Sequence, residues 1–404
     1  FFRFAATRRP GETRIRVFDP DPKTDGWKSD HTVIELVTDN GPFLVDSVAA
    51  GLAERGLTVH MIIHPTLAVR RDAKGRLKDF PDAPILGDGV GEEAYIGCKI
   101  APLADQAAMD ALAAALRRIL ADVHAAVEDW MPTRQKVRET ISDLKLRHSE
   151  TGADELAEAQ DFLQWLHDDH FTFLGYREYA FTGSGAKARV RIVKGSGLGV
   201  LRNSGALVFE DLLPGRPVPD SVKGFLGRPD PLVVSKADRR ATVHRPVYLD
   251  VISVKRHGAG GEVTGERLIV GLFTSIAYND LPRDIPLLRR KLDRAMAGAG
   301  FPPTSHHGKV LMNVLETYPR DELFQIEDDD LLEIGMGILH LQERPRVALF
   351  SRHDAFGRFV SCLLFVPKDR FSTDLRLELQ RILGEAYDGR VVAFNTVIGD
   401  APLA

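Results

Sequence analysis

The sequence predicts an α+β fold made of three units with antiparallel sheets, which are joined by helical connectors. The first observation behind this prediction is a set of strand-like stretches, in which apolar and polar residues alternate and short Gly-containing turns join neighbours into hairpins. The second is that helical stretches with one apolar stripe follow these hairpins in a recurring order. Helices on one side of an antiparallel sheet make a two-layer α+β unit.

Turns and helical stretches divide the 404 residues into five segments. We expect a first unit over 1–130, a helical connector over 131–169, a second unit with an inserted hairpin over 170–326, a linker helix over 327–344 and a third unit over 345–404. The chain begins with Phe1 and not with Met, and we therefore expect it to be a piece of a longer protein.

The first unit has the clearest pattern, a strand–helix–strand–strand–helix order. Its predicted elements are an edge strand over 14–18, a strand that starts at Thr32, a helix from Pro42 to Gly56, a long strand over 58–70, a hairpin turn over 72–75, a loop over 81–93, a strand over 94–100 and a helix over 103–129. Apolar residues recur at helical spacing in both helices, so each helix is expected to pack one face on the sheet.

The second and third units are predicted from hairpins and the helices that follow them. The hairpins pair 171–181 with 188–194, 246–255 with 263–273, and 346–350 with 358–366. Helices are expected at 285–296, 309–317 and 372–383, and a final strand at 390–398. The strand–strand–helix–strand order at the end of the chain is the basis of the third unit.

Charge and cysteine content exclude several classes of protein. The 53 Lys and Arg nearly balance the 57 Asp and Glu, so no basic face indicates a nucleic-acid partner. Apolar runs are shorter than the ~20 residues of a membrane span. Cys98 and Cys362 lie far apart in apolar stretches, which predicts buried thiols in a reducing, cytoplasmic compartment.

The stretch from Thr32 to Val48 is the strongest candidate for a binding site. A strand runs into Asp39, Asn40 and Gly41, which favour a turn, and Pro42 suits the first position of a helix. The first N–H groups of a helix lack partners within it and attract carboxylate or phosphate. The candidate binding residues are Asp39, Asn40, Gly41, Pro42, Phe43 and Leu44; the alternative is a well-capped turn with no ligand.

Other polar clusters favour structural interpretations. His167 to His170 is expected to be solvated surface, and His60 with His64 to belong to an ordinary sheet face. The Gly-rich run 195–199 follows a strand but no helix signature comes after it, which favours a turn over a phosphate loop. His306 and His307 have no Cys or carboxylate at metal-binding spacing. The sequence therefore predicts no metal site and no catalytic residues.

Two sets of residues carry a resemblance to a known family. Asp39, Gly41, Pro42, Phe43 and Leu44 resemble the opening of an ACT domain, a ferredoxin-like βαββαβ module that commonly binds amino acids. Six further runs resemble the N-terminal region of the large bacterial NAD-specific glutamate dehydrogenases: 162–166, 171–176, 245–256, 271–278, 285–291 and 317–325. The resemblance covers essentially the whole chain.

The resemblance implies three ACT-like units ahead of a separate catalytic domain in the same polypeptide. The parent enzyme would convert L-glutamate and NAD to 2-oxoglutarate and ammonia, with NAD bound outside this chain, which itself would hold no cofactor. It also implies where an amino-acid effector binds, with its carboxylate on the N–H groups after Asn40 and its ammonium on Asp39 or a backbone carbonyl.

We therefore expect a regulatory and oligomerisation region that senses an amino-acid effector and forms a homo-oligomer. The alternative is an assembly scaffold without a ligand, which the absence of a matching turn in the second and third units favours. RNA binding is a third interpretation, since similar sheets stack bases on aromatic side chains. The strands here carry Val, Ile and His instead, which disfavours it.

Overall fold

The computed structural model describes residues 2–81, 90–145, 152–183, 189–203, 205–206, 208–209, 215–217, 220–226, 230–258, 260, 262–344 and 346–398. The chain forms two compact units. The first contains residues 1–143, 171–218 and 236–273, and the second contains 144–170, 219–235 and 274–404.

The first sheet confirms most of the predicted N-terminal elements. Its strands are β1 (Arg14–Phe18), β2 (Thr32–Asp39), β3 (Val59–Ile63), β4 (Thr66–Arg71), β5 (Leu77–Asp79) and β6 (Val90–Ile100), in the order β1-β2-β6-β4-β5 with β3 also paired to β6. Its helices are α2 (Leu44–Ala53) and α3 (Gln106–Glu128), and the short α1 (Phe2–Ala5) precedes the sheet. Val37, Val69 and Tyr95 form a fully buried cluster on this sheet.

The strand order is that of a ferredoxin-like sheet, with one change in connectivity. β2, the β3–β4 pair and β6 occupy the positions of the first three ferredoxin strands, and β1 fills the remaining edge next to β2. This edge strand therefore comes before the first strand instead of after the second helix.

The predicted long strand over 58–70 is interrupted. β3 and β4 pair with β6 on either side of His64 and Pro65, because Pro65 has no N–H to donate to the ladder. Strand β6 begins at Val90, earlier than predicted. Most of the predicted loop over 81–93 falls on 82–89, outside the described residues.

A second sheet belongs to the same compact unit, apart from its residues 232–235. Its strands are β7 (Phe171–Thr182), β8 (Arg189–Ile192), β9 (Leu198–Gly199), β10 (Leu232–Arg240), β11 (Tyr248–His257) and β12 (Val263–Phe273), in the order β10-β11-β12-β7-β8 with β9 beside β7. Helix α3 of the first sheet contacts β7 and β9 of the second. Helix α3 therefore packs against strands of both sheets.

The segment 170–326, predicted to be an ACT-like unit with an inserted hairpin, contains this second sheet. Both predicted hairpins are present, β7 with β8 and β11 with β12, although residues 184–188 of the first turn lie outside the described residues. Strand β10 was not predicted. Within the described part of this segment, the short α6 (Asp220–Leu226) is the helix between strands, and the ACT-like character of this unit stays a prediction.

The remaining elements are mainly helical. They are α4 (Trp130–Lys145), α5 (Ala153–Trp165), a π-helical turn (Leu166–His170), α7 (Ser275–Asn279), a 3-10 turn (Pro282–Asp284), α8 (Leu288–Ala299), α9 (His306–Glu316), α10 (Arg320–Gln325), α11 (Asp328–Glu343), the hairpin β13 (Ala348–His353) with β14 (Val360–Phe365), a 3-10 turn (Lys368–Arg370) and α12 (Thr373–Ala386). The predicted final strand is wrong, because residues 391–398 have no regular secondary structure. Among the described residues, no helix is both long and apolar enough to span a bilayer.

Candidate functional site

The structure places the six candidate residues together at the junction of β2 and α2. β2 ends at Asp39 and α2 begins at Leu44, and Phe43 between them has a left-handed backbone with φ 68°. Because Phe43 has this backbone, the chain turns sharply into the helix. No side chain caps this helix start, and a Cβ on Gly41 would meet nothing within 4 Å.

The start of α2 leaves backbone donors available. Its first helical hydrogen bond runs from the N–H of Ser47 to the carbonyl of Phe43, at 3.0 Å. Within the part of the chain that the structure describes, the N–H groups of Leu44, Val45 and Asp46 have no acceptor. Such N–H groups at a helix N-terminus carry a positive partial charge, which favours the binding of a carboxylate.

Asp39 is held by the N-terminal segment. Its carboxylate accepts from the guanidinium of Arg8 and from the N–H of Gly11, the latter at 2.9 Å. Arg8 is 2% exposed and also donates to Glu93 at 2.8 Å. The carboxylate of Asp39 therefore already has two donors, and its position is fixed by a buried cation.

Glu93 is the centre of this ion-pair network. It receives two hydrogen bonds from Arg71, at 2.6 and 2.8 Å, and one from the hydroxyl of Tyr95, at 3.1 Å. Burial opposes its ionisation, but the hydrogen bonds and charges of Arg71 and Arg8 hold the pKa of Glu93 below its usual value. This network joins the end of β2 at Asp39 to the first part of β6 at Glu93, next to the turn that leads into α2.

Asn40 fixes the other side of the turn. Its backbone N–H donates to the carbonyl of Glu92, and its side-chain amide donates to the Glu92 carboxylate, both at 3.0 Å. With Asp39 and Asn40 both anchored, the loop between them and the helix is rigidly supported at its base.

A residue that the sequence did not single out also reaches this site. The backbone N–H of His244 donates to the Ser47 hydroxyl at 3.0 Å, and its Nδ1 lies 3.2 Å from a carboxylate oxygen of Asp46. The His244 ring centroid is 5.1 Å from that of Phe43. His244 lies in an irregular connection far along the chain, and no local pattern marks it.

The Gly-rich run 195–199 starts in a turn and ends in strand β9, and its last glycine contacts a carboxylate of the protein itself. The N–H of Gly199 donates to a carboxylate oxygen of Asp129 at 2.7 Å, and Nε of Arg202 donates to the same oxygen at 2.9 Å. Burial opposes the charge on Asp129, but these donors hold its pKa below its usual value. A Cβ on Gly199 would lie 2.0 Å from the carbonyl oxygen of Leu174, so glycine is required by a close approach of two strands.

The cluster 167–170 is solvated surface, as predicted, only at Asp168 and Asp169, which are exposed, and not at its two histidines. His167 is 6% exposed, and His170 stacks on Trp165 with ring centroids 4.4 Å apart. Nδ1 of His170 lies 2.7 Å from the Trp165 carbonyl oxygen and Nε2 lies 3.2 Å from Asp280. The π-helical turn, with Asp169 at φ 65°, folds these side chains inward.

The remaining predicted polar groups lie outside the site. His60 is exposed, and its ring centroid is 4.3 Å from that of His31. His306 and His307 meet edge to face at the start of α9. In the described part of the chain, no three His, Cys, Asp or Glu side chains are grouped to hold a metal. Cys98 is buried, and burial raises the pKa of its thiol to about 11.

Comparison with known families defines the class of protein. A ferredoxin-like sheet in which the first strand turns directly into a helix resembles an ACT domain, and the glutamate dehydrogenase ACT1 domain model matches residues 1–116. The glutamate dehydrogenase helical motif 1 model matches 285–344, and the ACT2 domain model matches 348–404. These models cover most of the predicted first unit and nearly all of the third, and they leave 117–284 uncovered.

Three individual relatives of this chain are named NAD-specific glutamate dehydrogenase. NAD-specific glutamate dehydrogenase of Halomonas elongata is 40% identical over 98% of this chain, and that of Pseudomonas aeruginosa is 36% identical over 97%. The Mycobacterium tuberculosis protein of that name is 28% identical over the full chain. The chain thus carries the ACT-domain region of the NAD-specific glutamate dehydrogenase family, which confirms the resemblance found in the sequence. It spans about a quarter of these relatives' length, 24% of the first two.

Proposed function

We propose that this chain is a non-catalytic regulatory and oligomerisation region of an NAD-dependent glutamate dehydrogenase, and that its first sheet senses an amino-acid effector. In the parent enzyme, a separate domain of the same polypeptide would bind NAD and interconvert L-glutamate and 2-oxoglutarate in the cytoplasm. ACT-like architecture is proposed for the three predicted units, 1–130, 170–326 and 345–404.

One observation supports the sensing role above all others. The first turn of α2 presents the N–H groups of Leu44, Val45 and Asp46 without acceptors among the described residues, directly after a loop anchored by Asp39 and Asn40. A rigid array of donors loses little conformational entropy when it binds an anion. The effector's carboxylate is proposed to lie there.

The ammonium of the effector needs an acceptor close to this carboxylate position. Arg8 and Gly11 already donate to the Asp39 carboxylate. The effector's ammonium would therefore have to compete with the buried guanidinium of Arg8 for this carboxylate. We therefore favour a backbone carbonyl of the Gly41–Leu44 loop as the acceptor, with Asp39 acting as the support that holds the loop.

Calorimetry of the folded chain against a panel of amino acids tests the proposal. Binding is expected for at least one of them, and Gly41→Val is expected to abolish it. Valine is tolerated at position 41, because nothing lies within 4 Å of its Cβ and φ is ordinary; there it would narrow the access to the amides. Gly91→Val is the matched control, since position 91 in β6 is equally open. No heat with any amino acid, in a folded sample, would remove the sensing role.

An assembly scaffold without a ligand is the second candidate. Large apolar side chains are exposed on strand β3 and after α12: Met61 at 38%, Ile63 at 51%, Phe394 at 62% and Val397 at 70%. Exposed apolar patches of this kind are typical of protein contacts. Under this proposal, sedimentation of wild type and Gly41→Val would give one oligomeric state, and no amino acid would change it.

A further inference from the structure

The connection between β10 and β11, residues 241–247, reaches from the second sheet to the proposed effector loop. His244 makes three contacts there, with the Ser47 hydroxyl, the Asp46 carboxylate and the Phe43 ring. All of these residues lie in the first compact unit. The contact is thus part of one folded body.

The two residues that meet at this contact are both held in unusual backbone conformations. Phe43 has φ 68° and His244 has φ 69°. Such a backbone is strained for a bulky residue other than glycine, so surrounding contacts must hold the residue there. Because the rings of Phe43 and His244 contact each other, a change at one residue removes a contact that helps to hold the backbone of the other.

The rest of the connection is anchored to the helix layer of the first sheet. The hydroxyl of Thr242 donates to the carboxylate of Asp122 in α3 at 2.7 Å, and Val243 is fully buried. His244 is more accessible than these two residues, since its side chain is 32% exposed and its partner Asp46 is 59% exposed. The connection thus has a fixed base and one accessible residue that touches the first turn of α2.

We propose that His244 couples occupancy of the effector loop to the second sheet, which rests on the proposed effector role of that loop. A carboxylate on the amides of Leu44 to Asp46 would lie beside the Asp46–His244 pair and the Phe43 ring. Because like charges repel, it would shift Asp46 and with it the connection that carries His244. His244 is a positioning residue in this arrangement and does not itself hold the effector's carboxylate.

Hydrogen exchange of the whole chain, measured by mass spectrometry, tests the coupling in two arms. In the ligand-free arm, His244→Ala is expected to speed exchange of the α2 peptide that contains Leu44 to Val48 by about fivefold or more, since local protection reflects local contacts. His60 is an exposed histidine on the first sheet. His60→Ala is therefore the matched control, and it is expected to leave the exchange of that peptide unchanged. Equal exchange in wild type and His244→Ala would overturn the coupling whether or not an effector binds.

The second arm adds an amino acid that gives heat in calorimetry. Wild type is expected to change exchange in 241–247 on binding, and His244→Ala to bind within about threefold of the wild-type Kd but to lose that change. Binding without any change in 241–247 of wild type contradicts the coupling alone. If no amino acid binds, the proposed effector role fails, and the ligand-free arm still decides whether His244 supports the loop.

Discussion

The Asp129 carboxylate at the end of α3 accepts a hydrogen bond from the backbone N–H of Gly199 at 2.7 Å. The side chain of Arg202 donates to the same oxygen. A carboxylate of the protein is thus the acceptor for a backbone N–H of this Gly-rich run. This relationship explains why a Gly-rich run after a strand is structural here, and it ties the helix of the first sheet to the second sheet.

Asp129→Asn is expected to lower the free energy of unfolding by about 1–3 kcal/mol, because a charged acceptor of two hydrogen bonds is lost. Since the pKa of Asp129 is lowered in the folded state, its stabilisation is present above the unfolded pKa of about 3.9 and is lost as the pH falls through the folded pKa. Chemical denaturation at pH 7 and pH 3 measures both effects.

The neighbouring Glu128 provides the control for this prediction. It pairs with Arg202 at 2.9 Å, but its side chain is 63% exposed. Glu128→Gln is therefore expected to cost less than about 1 kcal/mol. Equal losses for the two variants would mean that Asp129 contributes no more than a surface ion pair.

Glu93→Gln is expected to destabilise the first sheet by about 3–5 kcal/mol, because it leaves two buried guanidinium groups without their shared counter-charge. Arg8 is 2% exposed and Arg71 8% exposed at the side chain. The measurement is urea denaturation. Asp79→Asn, which breaks the exposed Arg70–Asp79 pair on the same sheet, should cost about 0–1 kcal/mol, and a similar cost for Glu93→Gln would contradict the network.

Glu266 gives the chain a dependence of stability on pH near neutrality. This residue of β12 is 3% exposed, and burial raises its pKa to about 7, against a weaker opposing hydrogen bond from Ser253. From the ordinary Glu pKa up to about 7 the folded state binds a proton that the unfolded state has lost, so wild-type stability falls as the pH rises through this window.

Glu266→Gln removes this titration. The stability difference between the variant and wild type is expected to shift in favour of the variant by about 3 kcal/mol between pH 4.5 and pH 8. Thermal or urea denaturation across that range measures the shift. Parallel pH profiles for the two proteins would show that Glu266 keeps an ordinary pKa.

Lys291 is expected to be the main support of the C-terminal end of α10 in the second unit. Its Nζ donates to the carbonyls of Leu323, Phe324 and Ile326, at 3.1, 2.9 and 2.6 Å. Lys291→Met would leave three carbonyls without this donor, and we expect a loss of at least about 2 kcal/mol in urea denaturation. Lys309→Met, at an exposed position of α9, should change the stability little; an equal effect would contradict the role of Lys291.

Local sequence patterns predicted the elements whose contacts are close in the chain. The edge strand β1, the turn into α2 and the hairpins of the second sheet are set by alternation, turn residues and helical spacing. Residues 391–398 have strand-like composition but no partner strand among the described residues, and a strand needs a ladder. Strand β10 shows the reverse, since its pairing with β11 decides its conformation more than its composition does.

The candidate site was predicted only in part for the same reason. Asp39 to Leu44 are consecutive, so the turn could be found from the sequence. The groups that support it come from elsewhere in the chain: Arg8 lies 31 residues before Asp39, and His244 lies 197 residues after Ser47. Such contacts depend on how sheets and helices pack, and a single sequence carries no local signal for them.

The most direct test of the account is the response of individual backbone amides to an effector. Nuclear magnetic resonance of the chain, labelled with ¹⁵N at glycine and leucine, would follow Gly41 and Leu44 during titration with an amino acid that binds. Saturable shifts of both signals, with the midpoint found by calorimetry and lost in Gly41→Val, are the predicted result. Saturable shifts elsewhere, with Gly41 and Leu44 unchanged, would contradict the assignment of the effector's carboxylate to the first turn of α2.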